Sequence, residues 1–399
     1  MNSVQPTQPE MSSTRLRSID ALRGIAALGV VLYHGVGAHP TTPQGFFSYV
    51  ALPFEYLFAQ GYVGVFLFFV ISGFCIHLQW AKARAAGLPY QITFKAFWKR
   101  RLRRLYPPYL FALALYLGMM ASTSGIDLTH FFVYDIVMHL LMLHNLDPHT
   151  CYSINGVFWT LAIEEQLYLA YFALLFMRIR WGWVTALIVC AAARVGWFFL
   201  SYFAYRLYKV GIPVPEAAAS HWLTWALGAI SVEAAVGLIK LPKWTRDIRI
   251  GLVVLLAAVA LSYVLPVLDQ EGVVHDIGWL AMHPVWGLGF FVVVNWAVNA
   301  EARWRLRSRI PVLVSGLAFI GIFSYSLYLT HQLVVMVSWR FVVSSWSPLV
   351  NALLIVTPAC VAFAYVFFRF FERPFMKAPA RVIPLETDNV TPIEERASA

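Results

Sequence analysis

The chain alternates between long apolar runs and short polar connections. About ten runs of roughly 18 to 22 residues can be traced, and each is long enough to cross a bilayer as a helix. The runs lie near residues 19–38, 62–80, 105–122, 157–177, 181–202, 221–239, 249–266, 277–298, 311–336 and 347–370. This pattern predicts an all-α integral membrane protein with about ten transmembrane helices.

Lysine and arginine are spread unevenly over the connections between these runs. With the N-terminus inside the cell, the inner connections carry most of the basic residues, including eight between positions 81 and 104. The outer connections carry only Arg206, Lys209 and Arg340. Because basic residues concentrate on the cytosolic side of a membrane, this asymmetry predicts that the N- and C-termini are both cytosolic.

Three segments outside the runs complete the expected organisation. Residues 1–18 lack the apolar core of a signal peptide and are predicted to be a cytosolic leader. Residues 376–399 are polar, which predicts a disordered cytosolic tail and leaves 19–375 as the membrane domain. The outer stretch His130–Leu143 is apolar but too short to span, so a re-entrant or interfacial helix is expected there.

Composition narrows the classes of function. The hydrophobic fraction of 60% exceeds what a soluble globular domain tolerates. The net charge of +10 does not indicate nucleic-acid binding, because the basic residues form short clusters between apolar runs. The four cysteines show no CxxC spacing, so neither a metal site nor a disulfide framework is expected.

Two ionisable residues lie inside the first run. Arg23 and His34 are eleven residues apart, which places their side chains on one helical face about 16 Å apart. A histidine can take and return a proton near neutral pH, and an arginine suits a phosphate or carboxylate. In the structural alternative, Arg23 extends to the membrane interface and His34 bonds a neighbouring helix.

Two adjacent carboxylates, Glu164 and Glu165, lie in the fourth run, within WTLAIEEQLY. Successive helical residues diverge by about 100°, so at most one of them is expected to face the same cavity as His34. A structural pair with an arginine is the alternative for the other.

The segment FWKRRLRRLYPPY, residues 97–109, places five basic residues directly before the third run. Such a cluster could hold anionic lipid headgroups. It could equally bind the phosphates of a nucleotide-bearing donor. For the second case the candidate contacts are Arg100, Arg101 and Arg104.

The ninth run carries a polar stripe. Ser324 and His331 are seven residues apart, about two turns, and so share a face. The stripe could line a water-filled cavity or hold two helices together. Five other histidines are not part of such a polar stripe and are interpreted as structural or interfacial: His39, His77, His221, His275 and His283.

Taken together and in order, these motifs resemble the acyltransferase-3 family of integral-membrane acyltransferases. The matching segments are SIDALRGIAALGVVLYH, GVFLFFVISGF, FWKRRLRRLYPPY, LLMLHN, NGVFWTLAIEEQLYL, SYSLYLTH and FERPF. The resemblance runs from about residue 18 to 375 and therefore covers almost the whole chain.

The resemblance implies an acyl-CoA-dependent O-acyltransferase of the bacterial inner membrane. Acetyl-CoA is the usual donor, and the usual acceptor is a hydroxyl of an envelope or secreted glycan or of a lipid-linked saccharide. The implied catalytic residues are His34, Arg23, Glu164 and His331, and the implied donor-binding motif falls on Arg101 and Arg104. Thr160 stands where the family more often has serine. The fused extracytoplasmic esterase-like domain of some members is not expected here.

On this basis the CoA phosphates would stay at the cytosolic face while the thioester reaches His34. His34 would act as a general base or form a transient acyl-imidazole. Glu164 or His331 would orient it or relay its proton. The alternatives are a transporter or channel that uses the same intramembrane polar residues, and a scaffold in a glycan-synthesis complex.

Overall fold

The computed structural model describes residues 16–37, 46–89, 92–123, 130–268, 273–306 and 310–376. Within these ranges every regular element is helical, which confirms the predicted all-α class. The main helices are α1 (Arg17–Val36), α2 (Phe46–Phe58), α3 (Gly64–Ala85), α4 (Phe94–Thr123), α5 (His130–Leu140), α6 (Trp159–Tyr208), α7 (Ala218–Ala235), α8 (Ile248–Leu268), α9 (Val273–Leu306), α10 (Val312–Ile322), α11 (Ser324–Ser338), α12 (Pro348–Asn351) and α13 (Thr357–Phe367).

Helices overlap each of the ten predicted runs. In the described part of the chain, six are long and apolar enough to cross a membrane, or seven if the bent pair α10–α11 counts as one span. Two predicted runs are joined in α6, which is interrupted at Gly182 by a positive φ of 86°. The count of ten crossings and the cytosolic termini remain predictions. Most of the leader and all but the first residue of the tail lie outside the described residues.

Helix α1 is central and packs against α3, α9, α10, α11 and α13. Its start is set by a carboxylate from α9. Glu301 accepts hydrogen bonds from the Arg17 and Ser18 main-chain nitrogens at 3.1 and 2.7 Å, and from the Ser18 hydroxyl at 2.6 Å. The first amides of a helix lack intrahelical partners, and a negative charge there is favourable. Glu301 therefore fixes the position along the bundle of every residue that α1 carries.

Glycines bring the backbones of α1 and α10 into direct contact. A methyl group added at Gly321 would lie 1.8 Å from the Asp20 carbonyl oxygen, and one added at Gly24 would lie 2.2 Å from the Leu317 carbonyl oxygen. Small residues permit such close crossings between membrane helices. This contact holds the face of α1 that carries Arg23 in a fixed orientation.

We expect Gly321→Ala to destabilise the fold, because its methyl group would force α1 and α10 apart. Overpacking typically costs about 1–3 kcal/mol. Gly316→Ala on the same helix is the matched control, since no atom of the described residues lies within 4 Å of the added atom. The thermal midpoint in detergent should fall for the first variant and stay level or rise for the second. Equal midpoints would contradict the proposed contact.

The segment predicted to lie outside, as a re-entrant or interfacial helix, forms an 11-residue helix, α5, followed by an inward-folded loop. Asn145 in this loop is fully buried and bonds Gln166 of α6, with an Asn145 Oδ1 to Gln166 Nε2 distance of 2.8 Å. The Gln166 amide also donates to the Met142 carbonyl oxygen at 3.3 Å. The loop thus packs beside the first two turns of α6, next to the predicted carboxylates.

Candidate active site

A cavity of about 180 Å³ lies between α1, α3, α4, α6 and α11. Four charged side chains line it: Arg23, Arg101, Arg104 and Glu164. Apolar side chains, including Phe68 and Phe69, form much of the remaining wall. Three guanidinium groups against one carboxylate make the lining suitable for an anion.

The three arginines lie on two helices, Arg23 on α1 and the other two on α4. Arg101 and Arg104 are three residues apart on α4 and therefore project to the same side. The Arg101 guanidinium lies 5.2 Å from the centre of the Phe97 ring and 5.6 Å from that of Tyr168. Among the described residues, the buried Nε atoms of Arg23, Arg101 and Arg104 have no hydrogen-bond partner. Unpaired buried donors are unfavourable, so a ligand rich in acceptor oxygens would stabilise this cluster.

Arg100, the third predicted donor contact on α4, is exposed and does not line the cavity. Arg103 is also exposed. The helical period explains the division, because these positions face away from Arg101 and Arg104. Any contact between Arg100 and a donor would therefore be made outside the cavity.

Of the two adjacent carboxylates, Glu164 faces the cavity and Glu165 does not. One oxygen of Glu164 accepts a hydrogen bond from the Ser72 hydroxyl at 2.8 Å and another from the Tyr168 hydroxyl. Ser72 in turn accepts a bond from the Trp225 indole at 3.2 Å. This chain of hydrogen bonds fixes Glu164 in the cavity wall.

His34 and His331 lie side by side, although 297 residues separate them in the chain. Nε2 of His331 is 3.3 Å from Nδ1 of His34, and the ring centres are 4.9 Å apart. His331 is fully buried, whereas His34 is partly exposed. Neither lines the cavity, so Arg23 and His34 lie in different places along α1, Arg23 in the cavity wall and His34 beside His331.

The neighbouring carbonyl groups indicate where the two imidazoles carry their protons. Nδ1 of His331 is 2.8 Å from the Tyr328 carbonyl oxygen, which can only accept, so this nitrogen carries the proton and Nε2 accepts. Nδ1 of His34 is 2.9 Å from the Val30 carbonyl oxygen and must likewise carry a proton. That proton can be shared with His331 Nε2. The lone pair on His34 Nε2 then remains available to a substrate.

Tyr328 stands between the cavity and the histidine pair. Its side chain lines the cavity, and its ring centre lies 5.6 Å from that of His331. Its hydroxyl group lies 2.7 Å from Oγ1 of Thr160, the residue that replaces the family's more usual serine. The polar stripe predicted on the ninth run thus connects the cavity to the histidines.

Sequence reasoning missed Glu372, which lies within the FERPF motif. Glu372 is 1% exposed and accepts hydrogen bonds from the main-chain nitrogen of Ser326 at 3.1 Å and from its hydroxyl at 2.5 Å. It also lies close enough to Arg23 and Arg104 to interact with them electrostatically. The available signal was a charged residue directly after the last apolar run, which ends near residue 370.

Three of the histidines interpreted as structural or interfacial have charged or aromatic neighbours in the structure. His77 Nε2 lies 3.0 Å from Glu233, which also binds Arg178 at 2.7 Å. This network is satisfied and ties α3 to α6 and α7, in agreement with a structural role. His221 and His283 stack with their ring centres 5.1 Å apart. His39, and the side chain of His275, lie outside the described residues.

The chain is similar to known acyltransferases over most of its length. The family model described as an acyltransferase domain matches residues 16–369. A provisionally named O-acetyltransferase of Staphylococcus aureus strain COL is 25% identical over 402 residues, which cover 90% of this chain and 57% of that protein. The peptidoglycan O-acetyltransferase OatA of Listeria monocytogenes is 28% identical over 179 residues, covering 41% of this chain and 25% of OatA.

A third relative comes from a virus. A provisionally named acetyltransferase of Acidianus two-tailed virus is 31% identical over 153 residues, covering 38% of each chain. The present chain spans little more than half the length of the Staphylococcus relative. No solved structure matches it.

Proposed function

Because this chain belongs to the acyltransferase-3 family, we propose that it is a multi-pass enzyme of the bacterial inner membrane that transfers an acyl group from cytosolic acyl-CoA. Acetyl is the acyl group that the names of its relatives favour. The proposed acceptor is a hydroxyl of an envelope or secreted saccharide, free or lipid-linked. Family membership favours this reaction over the alternative of proton or solute conduction.

One observation carries the proposal: a histidine pair that leaves His34 Nε2 unprotonated lies beside a cavity lined by three arginines. Acyl transfer from CoA needs both parts. The arginines would bind the phosphates of the donor. The imidazole would accept the proton of the acceptor hydroxyl. Tyr328 contacts both parts and would adjoin the thioester.

The proposed reaction needs one base. His34 Nε2 would take the proton of the acceptor hydroxyl as its oxygen attacks the thioester carbonyl carbon. The carbon–sulfur bond then breaks, and the CoA sulfur receives the proton back from His34. His331 would stabilise the transient imidazolium, because its Nε2 already lies within reach of the Nδ1 proton of His34. The products are an ester and free CoA.

The donor site can be tested with two neighbouring arginines. We expect Arg104→Ala to raise the KM for acetyl-CoA by about tenfold or more, because charge-assisted hydrogen bonds to phosphate are lost. Arg103→Ala, an exposed position on the same helix, is the control and should leave this KM near the wild-type value. The measurement is the initial rate of CoA release against donor concentration. An unchanged KM in Arg104→Ala, with altered dependence on anionic lipid, would favour the lipid-binding alternative instead.

The acceptor can be identified by mass spectrometry. Envelope and secreted saccharides from cells with and without the gene should differ in acyl ester content. The name of the Listeria relative makes peptidoglycan the first saccharide to examine. Identical acylation of every saccharide in the two strains would contradict a saccharide acceptor.

A further inference from the structure

Helix α11 begins at the wall of the arginine cavity. The pair α10–α11 is bent by 73°, and the first two residues of α11, Ser324 and Tyr325, line the cavity. The start of a helix carries a partial positive charge, and broken membrane helices direct such ends towards anionic groups of substrates. The bend thus brings the start of α11, which Glu372 caps at Ser326, to the cavity wall beside the three arginines.

The hydroxyl group of Ser324 has no hydrogen-bond partner in the described part of the chain. The residue is 1% exposed, and its Oγ atom makes no hydrogen bond to any described residue. Two positions along, Ser326 is satisfied, because its main-chain nitrogen and its hydroxyl both bind Glu372. A buried hydroxyl group without a partner is unfavourable, and this one lies in the wall of the cavity beside three arginines.

The charged side chains of the cavity also favour the binding of an anion. Glu164 is already engaged by Ser72 and Tyr168, and Glu372 by Ser326. The Nε atoms of the three cavity arginines have no partner in the described part of the chain. Among the described residues, three guanidinium groups and one carboxylate line the cavity, with Glu372 nearby. The net positive charge and the unpartnered Nε donors would suit a ligand with several negatively charged oxygens.

We propose that this cavity binds the diphosphate of acyl-CoA, with Ser324 and the start of α11 as ligands beside Arg23, Arg101 and Arg104. The inference rests on the proposed function and specifies which phosphate the cavity holds. Arg23 precedes His34 by eleven residues, or about 16 Å along α1. The extended arm between the thioester sulfur and the diphosphate is about 15 Å long by ordinary bond lengths. The 3′-phosphate on the adenosine ribose lies farther from the thioester and would stay outside the cavity.

The test compares three probes on the purified full-length chain in detergent: CoA, 3′-dephospho-CoA and pantetheine, which has no phosphate. Ser324→Ala should weaken the binding of CoA and of 3′-dephospho-CoA by about tenfold, as expected for a lost hydrogen bond to a charged group. Its affinity for pantetheine should not change. Ser324→Thr should restore most of the loss. Ser231→Ala is the control, because this buried serine bonds its own helix and lies on α7 outside the cavity.

Other outcomes distinguish a failure of the proposed role of Ser324 from a failure of the proposed function. If the wild type binds CoA but Ser324→Ala binds it equally well, the role of Ser324 is overturned and the proposed function stands. If Ser324→Ala weakens pantetheine equally, the effect on binding is structural and the role is also overturned. If removal of the 3′-phosphate weakens binding to the wild type, and Ser324→Ala then causes no further loss of affinity, the phosphate near Ser324 is the 3′-phosphate. That result would overturn the assignment of the diphosphate to this cavity. If the wild type binds neither CoA nor 3′-dephospho-CoA, the proposed donor itself is wrong.

A second readout needs no substitution. Cys75 lines the cavity and is partly exposed, whereas Cys151, Cys190 and Cys360 are buried. The S-methyl thioethers of CoA and 3′-dephospho-CoA, which do not consume the reagent, should both slow the alkylation of Cys75 by a maleimide, followed by peptide mass spectrometry. S-methylpantetheine at the same concentration should protect much less. Equal protection by all three probes would contradict a diphosphate in this cavity.

Discussion

His34→Ala should lower acyl transfer by about a hundred- to ten-thousandfold, the usual range for loss of a positioned general base. The protein should fold and bind CoA nearly as well as the wild type. His34 is partly exposed, and its Nε2 atom makes no hydrogen bond within the described residues. Its removal takes away the proposed base and one 3.3 Å contact with His331, a small structural loss beside the loss of chemistry. The measurement is activity per correctly folded molecule, with folding checked by size-exclusion chromatography.

A structural histidine provides the control for this variant. His77→Ala would leave Glu233 without one of its buried partners, so yield and thermal stability should fall. The molecules that remain folded should keep their specific activity. Near-wild-type specific activity in His34→Ala would remove His34 from the mechanism and make His331 the candidate base.

The second large effect is expected at His331, which acts through His34. His331→Ala removes the acceptor that faces the Nδ1 proton of His34, so the imidazolium formed during transfer is less stabilised. The loss should be about ten- to a hundredfold, smaller than for His34, because the Val30 carbonyl group still holds the same proton. It should appear in kcat rather than in the KM for the donor.

A conservative variant distinguishes positioning from packing at this site. His331→Gln offers a carbonyl oxygen that can accept the His34 proton, so it should retain more activity than His331→Ala. If both variants lose the same activity, and donor binding falls with it, His331 serves to pack α11 against α1. If both keep wild-type kcat, His331 has no part in transfer.

Local patterns in the sequence predicted much of the fold and part of the site. Apolar runs located the helices, because hydrophobic length is the dominant requirement for a helix in a bilayer. Helical spacing predicted that at most one of the adjacent carboxylates faces the same cavity as His34; in the structure Glu164 lines a cavity and Glu165 does not, but His34 does not line that cavity. The same spacing accounts for the exposed position of Arg100 beside the inward Arg101.

The remaining features depend on contacts between distant segments. Nothing in the local pattern joins His34 to His331, because their meeting requires α1 and α11 to pack together. The bend between α10 and α11 falls inside a single apolar run, where hydropathy carries no sign of a break. Glu301 and Glu372 serve helix starts that lie far from them in sequence. Such long-range hydrogen bonds leave no periodic signal.

The central claim is that this chain transfers an acyl group from CoA. Purified protein should be placed in liposomes that contain a saccharide acceptor, with acetyl-CoA labelled in the acetyl group. The account predicts that label moves to the acceptor as free CoA is released in equal amount, and that His34→Ala abolishes both. Wild-type protein that conducts protons or a solute but releases no CoA and labels no acceptor would contradict it.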